Sequence, residues 1–199
     1  MRRTDVPAPA REGGRATAPE VLTIVGSPSR TSLTASVAGY VTERVTGQGF
    51  HARTTAAREL PPAALLAGDA AHPVIGSVVA AVERAAGLVI ATPVYQGAYS
   101  GLLKSLLDVL PRHALEGKPI LPLATGGSMA HLLVLDYALR PVLVAMGADH
   151  IVRGVFVHQR LVTVGRDGGI TLDPDIEGPL ERAVEVFTAA LDAAGARSA

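Results

Sequence analysis

Three short loops of small, hydroxylated and aromatic residues each follow an apolar run of the sequence. The first, residues 27–32, carries four hydroxyl side chains and one cation, Arg30. The second, residues 93–97, is aromatic and apolar, and the third, residues 125–128, places two glycines between hydroxyl residues. In an open parallel α/β sheet, the loops at the carboxyl ends of the strands line the crevice that binds ligands. We therefore expect these three loops to form one binding site.

The first loop has the chemistry of a site for a single phosphate. Small residues at a strand-to-helix turn let backbone N–H groups point at an anion, and the positive end of the helix dipole adds to the attraction. Arg30 can add a charge-assisted pair. The loop has neither a Gly-x-Gly-x-x-Gly pattern nor a Gly-Lys-Ser/Thr pattern, so a monophosphate fits better than a dinucleotide or a triphosphate. The alternative is an ordinary turn with a Ser/Thr helix cap.

The second and third loops suit a flat heterocycle with a polar edge. Tyr95 and Tyr99 are two of the four tyrosines in a chain without tryptophan, and both follow a buried strand. Gly126 and Gly127 can expose backbone N–H groups to a ring carbonyl. Alternatively, the tyrosines cover the strand end and the glycines relieve a tight turn. A ligand with a phosphate at one end and a flat ring at the other needs all three loops, and FMN has that shape.

Several other chemistries are disfavoured by composition and spacing. The chain has no cysteine, which excludes disulfides, thiolate metal sites and a cysteine nucleophile. Its six histidines lack metal-ligand spacing, so no metal site is predicted. Ser128, His131 and Asp136 could suggest a hydrolytic triad, but the Gly-x-Ser-x-Gly elbow is missing.

Charge and hydropathy indicate a cytoplasmic protein. Lys plus Arg equals Asp plus Glu at 18 each, so no overall field favours nucleic acid or an anionic membrane. No apolar stretch approaches the ~20 residues of a membrane span. No apolar segment follows the charged first residues, so a secretory signal is not predicted.

Strand and helix patterns alternate along the chain, which predicts a doubly wound α/β domain over residues 20–195. Residues 1–19 lack periodicity and are predicted to be a disordered tail. The predicted strands are residues 21–26, 50–56, 88–94, 118–125 and 151–157, and the predicted helices are residues 33–45, 74–86, 102–110 and 130–146 and a last helix opening at Pro179. A small hairpin is predicted around a turn at residues 165–169.

The fourth predicted helix, residues 130–146, is apolar almost all round. Such a helix needs burial on more than one side, by the sheet and by another subunit, so an isologous interface is predicted here. Pro141 inside it predicts a kink.

The central block of the chain resembles the NAD(P)H-dependent FMN reductases of flavodoxin-like fold. The similarity is carried by residues 91–95 (Ala-Thr-Pro-Val-Tyr), 98–101 (Ala-Tyr-Ser-Gly), 121–127 (Leu-Pro-Leu-Ala-Thr-Gly-Gly) and 130–143, and it extends over roughly residues 21–191. Within the family, the chain looks most like the reductases of bacterial alkanesulfonate monooxygenase systems.

This resemblance implies a five-stranded parallel sheet of order 2-1-3-4-5, FMN at the switch point, and a homodimer or homotetramer. It also implies hydride transfer from NADPH or NADH to FMN, with the reduced FMN passed to a partner flavin-dependent monooxygenase. The resemblance places the cofactor-binding role on Ser27, Ser29, Arg30, Thr31, Ser32, Pro93, Val94, Tyr95, Gln96, Thr125, Gly126, Gly127 and Ser128. No catalytic side chain is named, since the cofactor carries the hydride chemistry. Asp136 and Tyr137 match an irregular helix at the subunit interface of the nearest family members.

Two departures from the family pattern bear on the function. The first loop is short and has one Arg where relatives often have two, which predicts loose flavin binding. Gln96 replaces a commonly basic residue, which leaves the choice between NADPH and NADH open. Two alternatives remain: a quinone, azo-dye or metal-ion reductase that retains its FMN, and a flavodoxin-like electron carrier. A carrier usually has an acidic docking face, and this chain is neutral.

Overall fold

A computed structural model describes residues 19–165 and 169–198 of the protein. Residues 1–18 of the predicted tail, which spans residues 1–19, and the tip of the predicted hairpin turn lie outside the described residues. The strands are Glu20–Val25 (β1), His51–Ala56 (β2), Gly87–Tyr95 (β3), Ala98–Tyr99 (β4), Pro119–Gly126 (β5), His150–Ile151 (β6), Val155–His158 (β7), Val162–Val164 (β8) and Ile170–Leu172 (β9). The α-helices are Leu33–Gly47 (α1), Pro62–Ala67 (α2), Pro73–Arg84 (α3), Gly101–Asp108 (α4), Arg140–Ala145 (α5) and Pro174–Ser198 (α6).

The main sheet has the predicted doubly wound order. Its parallel strands run β2-β1-β3-β5, and both β6 and β7 pair with β5 on its far side. Taking β6 and β7 as the fifth strand, this is the flavodoxin-like order 2-1-3-4-5. The short β4 turns back antiparallel against the end of β3, a feature that the sequence patterns did not predict. The weak second strand is confirmed as β2, which lies at the edge of the sheet.

The fifth strand, predicted as residues 151–157, is split in the structure. Residues 152–154 lie opposite only residues 121–122 of β5, which makes a β-bulge. The physical reason lies in β5, where Pro122 has no N–H to donate to a neighbouring strand. Gly154 packs closely there, since a Cβ on it would lie 3.0 Å from the Pro122 carbonyl oxygen.

Two apolar cores cover the two faces of the sheet. On one face, α1 and α6 bury residues such as Val37, Val41 and Phe187. On the other face, α3, α4 and the segment leading into α5 bury residues such as Leu106 and Leu139. Both faces of the central strands are therefore buried, as in a parallel sheet with helices on both faces.

The predicted helix over residues 130–146 is irregular. A 3₁₀ segment, Met129–Leu133, leads into one turn of π-helix, Leu135–Leu139, and only Arg140–Ala145 is α-helical. Pro141 follows this π turn directly, in the first turn of α5. At the predicted kink the structure therefore has a π turn, in the residues just before the proline, where a proline disturbs a helix.

Two other helix boundaries differ from the sequence prediction. The last helix begins at Pro174 and not at Pro179, because the Asp173 carboxylate accepts the Asp175 N–H at 3.0 Å and caps the earlier start. The helix predicted over residues 74–86 ends at Arg84, and Gly87 is the buried first residue of β3. The hairpin prediction is confirmed, since β8 pairs with β9. Among the residues that the structure describes, no helix is both long and apolar enough to cross a bilayer.

Candidate functional site

The three predicted loops meet in one cleft at the carboxyl ends of β1, β3 and β5. Its volume is about 250 Å³. The cleft is lined by Ser27, Ser29, Thr31, Ser32, Leu33, Thr34, Pro93, Val94, Tyr95, Thr125, Gly126, Gly127 and Gln159. Arg30, Gln96 and Ser128 were predicted to belong to the site and are not among the lining residues. A larger cavity of about 480 Å³ lies between β7 and the start of α6, but no residue of the three loops lines it.

The first loop is folded by its own hydroxyl groups. The buried Ser27 hydroxyl accepts the Ser29 N–H at 3.4 Å, and the Ser29 hydroxyl donates to the Thr31 carbonyl at 3.2 Å. The Ser32 hydroxyl accepts the Ala35 N–H at 3.2 Å and caps α1. The loop therefore combines the two interpretations of its sequence: it caps a 15-residue helix, and it opens the positive end of that helix toward the cleft.

A second cation reaches the first loop from a different part of the chain. Arg58 lies in the 3₁₀ turn after β2 and donates from Nη1 to the Ser29 carbonyl at 3.4 Å. Its Nη2 pairs with the Glu59 carboxylate at 2.7 Å. Arg30 is exposed. Sequence reasoning missed Arg58, although β2 and β1 are parallel neighbours whose carboxyl ends must lie side by side.

Buried hydrogen bonds connect the first loop to the second. The Gly26 N–H donates to the Ala91 carbonyl at 2.8 Å, and the Gly26 carbonyl accepts the Ser100 hydroxyl. The Ser100 N–H in turn donates to the Thr92 hydroxyl at 3.0 Å. A Cβ at Gly26 would lie 2.5 Å from the Leu103 Cβ, so only glycine fits against α4 here. These contacts fix the ends of β1 and β3 relative to each other.

The second loop is a tight hairpin between β3 and β4. Gln96 and Gly97 both have positive φ, at 49° and 73°, which is typical of a type I′ turn. The structure therefore places Gln96 at a turn and not on the cleft wall, where we predicted it. Tyr95 remains on the wall and is 48% exposed. Its exposed ring offers a surface on which a planar ligand can stack.

The third loop is joined to the first by a buried pair of hydroxyls. Thr34, in the first turn of α1, and Thr125, at the end of β5, lie 2.6 Å apart through their Oγ1 atoms. Both side chains are almost fully buried, with 2% and 4% relative exposure. The pair forms the floor of the cleft between the first loop and the third loop.

The two glycines of the third loop pack closely against neighbouring side chains, and turn geometry does not require them. Neither has a positive φ. A Cβ at Gly126 would lie 3.0 Å from His131 Nδ1, and a Cβ at Gly127 would lie 3.0 Å from Gln159 Nε2. Gln159 was missed by sequence reasoning, because nothing in its neighbourhood marks the residue after β7 as part of this loop cluster.

The hydrolytic alternative finds no support among the described residues. The Ser128 hydroxyl accepts the Ala130 N–H at 3.3 Å, and Asp136 pairs with Arg140 at 3.2 Å. The buried Nδ1 of His131 has no hydrogen-bond partner. The three side chains therefore do not form a relay.

Comparison with known proteins identifies the family. Residues 19–161 match the family model described as NADPH-dependent FMN reductase. The chain belongs to this family. It is 40% identical over 171 residues to the FMN reductase (NADPH) of Escherichia coli, covering 86% of this chain and 89% of that protein. It is 42% identical over 108 residues to the NADH-dependent FMN reductase SfnE of Pseudomonas putida, covering 54% of this chain and 58% of that one.

A solved structure agrees with the family membership. The apo form of the NADH:FMN oxidoreductase EMOB superposes with a TM-score of 0.78 at 42% identity, covering 85% of this chain and 88% of that one. Membership in the FMN reductase family makes this chain an oxidoreductase that uses FMN and a reduced nicotinamide nucleotide, as the resemblance implied. The relatives name NADPH in one case and NADH in others, and both remain open for this chain.

Proposed function

We propose that the cleft binds FMN with its phosphate at residues 27–32 and its ring at residues 93–95 and 125–127. The observation that carries this proposal is the meeting of all three loops in one cleft. The residues present fit such a ligand: hydroxyls and a helix N-terminus at one end, and a tyrosine beside two closely packed glycines at the other. Arg30 lies beside this site and adds positive charge near the phosphate.

When bound, FMN supplies the hydride acceptor, and the chain supplies binding and orientation. Buried bonds from Thr92, Ser100 and the Thr34–Thr125 pair hold the three loops in place, so the cleft is organised before a ligand enters. No side chain of the cleft is needed as an acid or base for this reaction.

We further propose that FMN leaves after reduction and is used by a separate flavin-dependent monooxygenase. Three of the four hydroxyl groups of the first loop already make hydrogen bonds within the loop or cap α1, which leaves them less free to bind a phosphate. Arg58 is shared with Glu59, and Arg30 is exposed. This supports modest affinity for the phosphate, and each additional kcal/mol of flavin binding would slow its release.

The test is steady-state NAD(P)H oxidation with FMN varied, followed by addition of a quinone at fixed FMN. A rate that saturates with free FMN and needs no quinone supports the proposal. Flavin that stays bound through gel filtration, with turnover that requires quinone, would instead indicate an FMN-retaining reductase. Flavin that stays bound without NAD(P)H oxidation would indicate an electron carrier.

Arg30→Ala and Arg58→Ala are each expected to weaken FMN binding by about 1 kcal/mol or more, which is at least about fivefold in Kd. Riboflavin lacks the phosphate and should lose much less. Arg84→Ala is the control, since Arg84 lies beside the start of β1, at the opposite end of the strands from the cleft. Titration by flavin fluorescence measures each Kd. Equal losses of affinity for FMN and riboflavin would show that the two arginines do not interact with the phosphate.

The irregular helical segment supports a proposal about assembly. Four large apolar side chains on it are about half exposed or more: Met129, Leu132, Leu133 and Tyr137. The groove beside them, of about 340 Å³, also contacts the β3–β4 turn at Gly97. We propose that a second copy of the chain covers this surface, because contiguous exposed apolar patches mark interaction sites.

Tyr137→Ala or Leu133→Asp should therefore lower the oligomeric state at micromolar concentration, and Leu66→Asp should not. Leu66 is 81% exposed on α2 and does not line this groove. Light scattering coupled to gel filtration measures the mass. A strictly monomeric unaltered protein would remove the proposal.

A further inference from the structure

Gln159 forms a wall of the cleft that belongs to none of the three predicted loops. It begins the 3₁₀ turn Gln159–Leu161, directly after β7. Its amide lies against the third loop, with Nε2 3.0 Å and Oε1 3.4 Å from the position that a Cβ on Gly127 would take. Within the described part of the chain, this carboxamide makes no hydrogen bond, although it lines the cleft. It is thus a donor and an acceptor that face a ligand site.

The position of Gln159 along the sheet edge indicates which part of a ligand it meets. The order β1-β3-β5-β7 separates the end of β7 from the end of β1 by three strand spacings, about 14 Å at ~4.8 Å each. The hydroxyl-rich loop and the N-terminus of α1 lie at the β1 end. A phosphate bound there directs the rest of the molecule toward β5 and Gln159.

We infer that Gln159 recognises the imide edge of the flavin pyrimidine, the C2 carbonyl, N3–H and C4 carbonyl. This inference rests on the proposed binding of FMN in the cleft. The Gln159 Oε1 accepts the N3–H, and its Nε2 donates to one of the carbonyls. A carboxamide has one acceptor, the carbonyl oxygen, beside one donor group, the NH₂, and so complements an N–H that lies next to a carbonyl. The opposite edge of the flavin carries methyl groups and offers this exposed amide neither a donor nor an acceptor.

The position of the Gln159 side chain explains why a glycine suits position 127. Its φ is not positive, so the backbone conformation does not demand glycine. The space that a side chain would fill is taken by the Gln159 amide. Gly127 therefore lets the carboxamide lie against the loop backbone, beside the ring-binding wall.

The experiment compares FMN with N3-methyl-FMN, in which a methyl group replaces the imide hydrogen. Binding of each is titrated with the unaltered protein and with Gln159→Ala, Gln159→Glu and Arg160→Ala. Arg160 is on the same turn, is exposed and does not line the cleft, so it serves as the matched control. Melting temperatures confirm that each variant is folded.

The expected result is a loss specific to the imide hydrogen. Gln159→Ala should raise the Kd for FMN about 3- to 10-fold, the range of one uncharged hydrogen bond, and change the Kd for N3-methyl-FMN by less than about twofold. Gln159→Glu keeps the size but loses the donor, and it should weaken FMN at least as much. Arg160→Ala should leave the ratio of the two constants unchanged.

Three results would overturn the inference. Equal losses for both flavins in Gln159→Ala would show that the amide meets another part of the ligand. Full affinity of Gln159→Glu for FMN would reduce Gln159 to a packing role. Failure of the unaltered protein to bind either flavin would overturn the proposed function and this inference together, and it is recognised before any variant is made.

Discussion

Gly26→Ala should unfold more easily than the unaltered protein and bind FMN poorly. The added methyl group would lie 2.5 Å from the Leu103 Cβ, so β1 or α4 must shift. Overpacking of this kind costs about 1–3 kcal/mol of the free energy of unfolding. The shift also breaks the bond from the Ser100 hydroxyl to the Gly26 carbonyl, which joins the first and second loops of the cleft.

Urea denaturation measures the stability, and FMN titration measures the site. Gly39→Ala is the matched control, because Gly39 lies in α1 with no atom within 4 Å of an added Cβ. That substitution should stabilise the protein by up to about 1 kcal/mol, the difference in helix propensity between alanine and glycine. If Gly26→Ala is as stable as the unaltered protein, the close packing of β1 on α4 is wrong.

The Thr34–Thr125 pair should show strong coupling in a double-mutant cycle. Either single change to valine leaves the other hydroxyl buried without its partner, which costs about 1–3 kcal/mol. The double variant removes both polar groups and keeps the shape, so its loss should be well below the sum of the two single losses.

Thermal or urea unfolding of the four proteins without ligand measures this coupling. Thr163→Val, on the exposed face of β8, is a control for the valine substitution itself. Additive losses from Thr34→Val and Thr125→Val would mean that the two hydroxyls do not depend on each other. In that case the floor of the cleft is held by packing alone.

The fold could be predicted from the sequence where the spacing of apolar residues identifies each strand or helix and where strands and helices alternate along the chain. The buried runs of β1, β3 and β5 and the four-residue repeat of α1 were sufficient to predict a doubly wound sheet. The split of the fifth strand was not predicted, because it depends on a proline in the neighbouring strand, Pro122. The π turn at residues 135–139 was not predicted from periodicity for a different reason. One inserted residue rotates the apolar face by about 100°, and a segment that is apolar almost all round does not reveal that rotation.

The site was predictable as far as its residues are consecutive in the chain. Each of the three loops follows a strand, and parallel strands bring their carboxyl ends together. Gln159 lines the cleft from the end of β7, Arg58 contacts the backbone of the first loop from the turn after β2, and no local pattern marks either one. The family resemblance gave Gln96 a cofactor-binding role, but Gln96 lies at a hairpin turn with positive φ and does not line the cleft.

Anaerobic ultrafiltration can show whether this FMN reductase releases the flavin it reduces. The flavin-free protein is mixed with a large excess of FMN and of NADPH, or NADH in a parallel sample, and the filtrate is examined by its absorbance for reduced FMN. If reduced flavin is released, we expect many moles of reduced FMN in the filtrate per mole of protein, formed faster than in the absence of protein. At most one mole of reduced flavin per mole of protein, retained above the membrane, would contradict it.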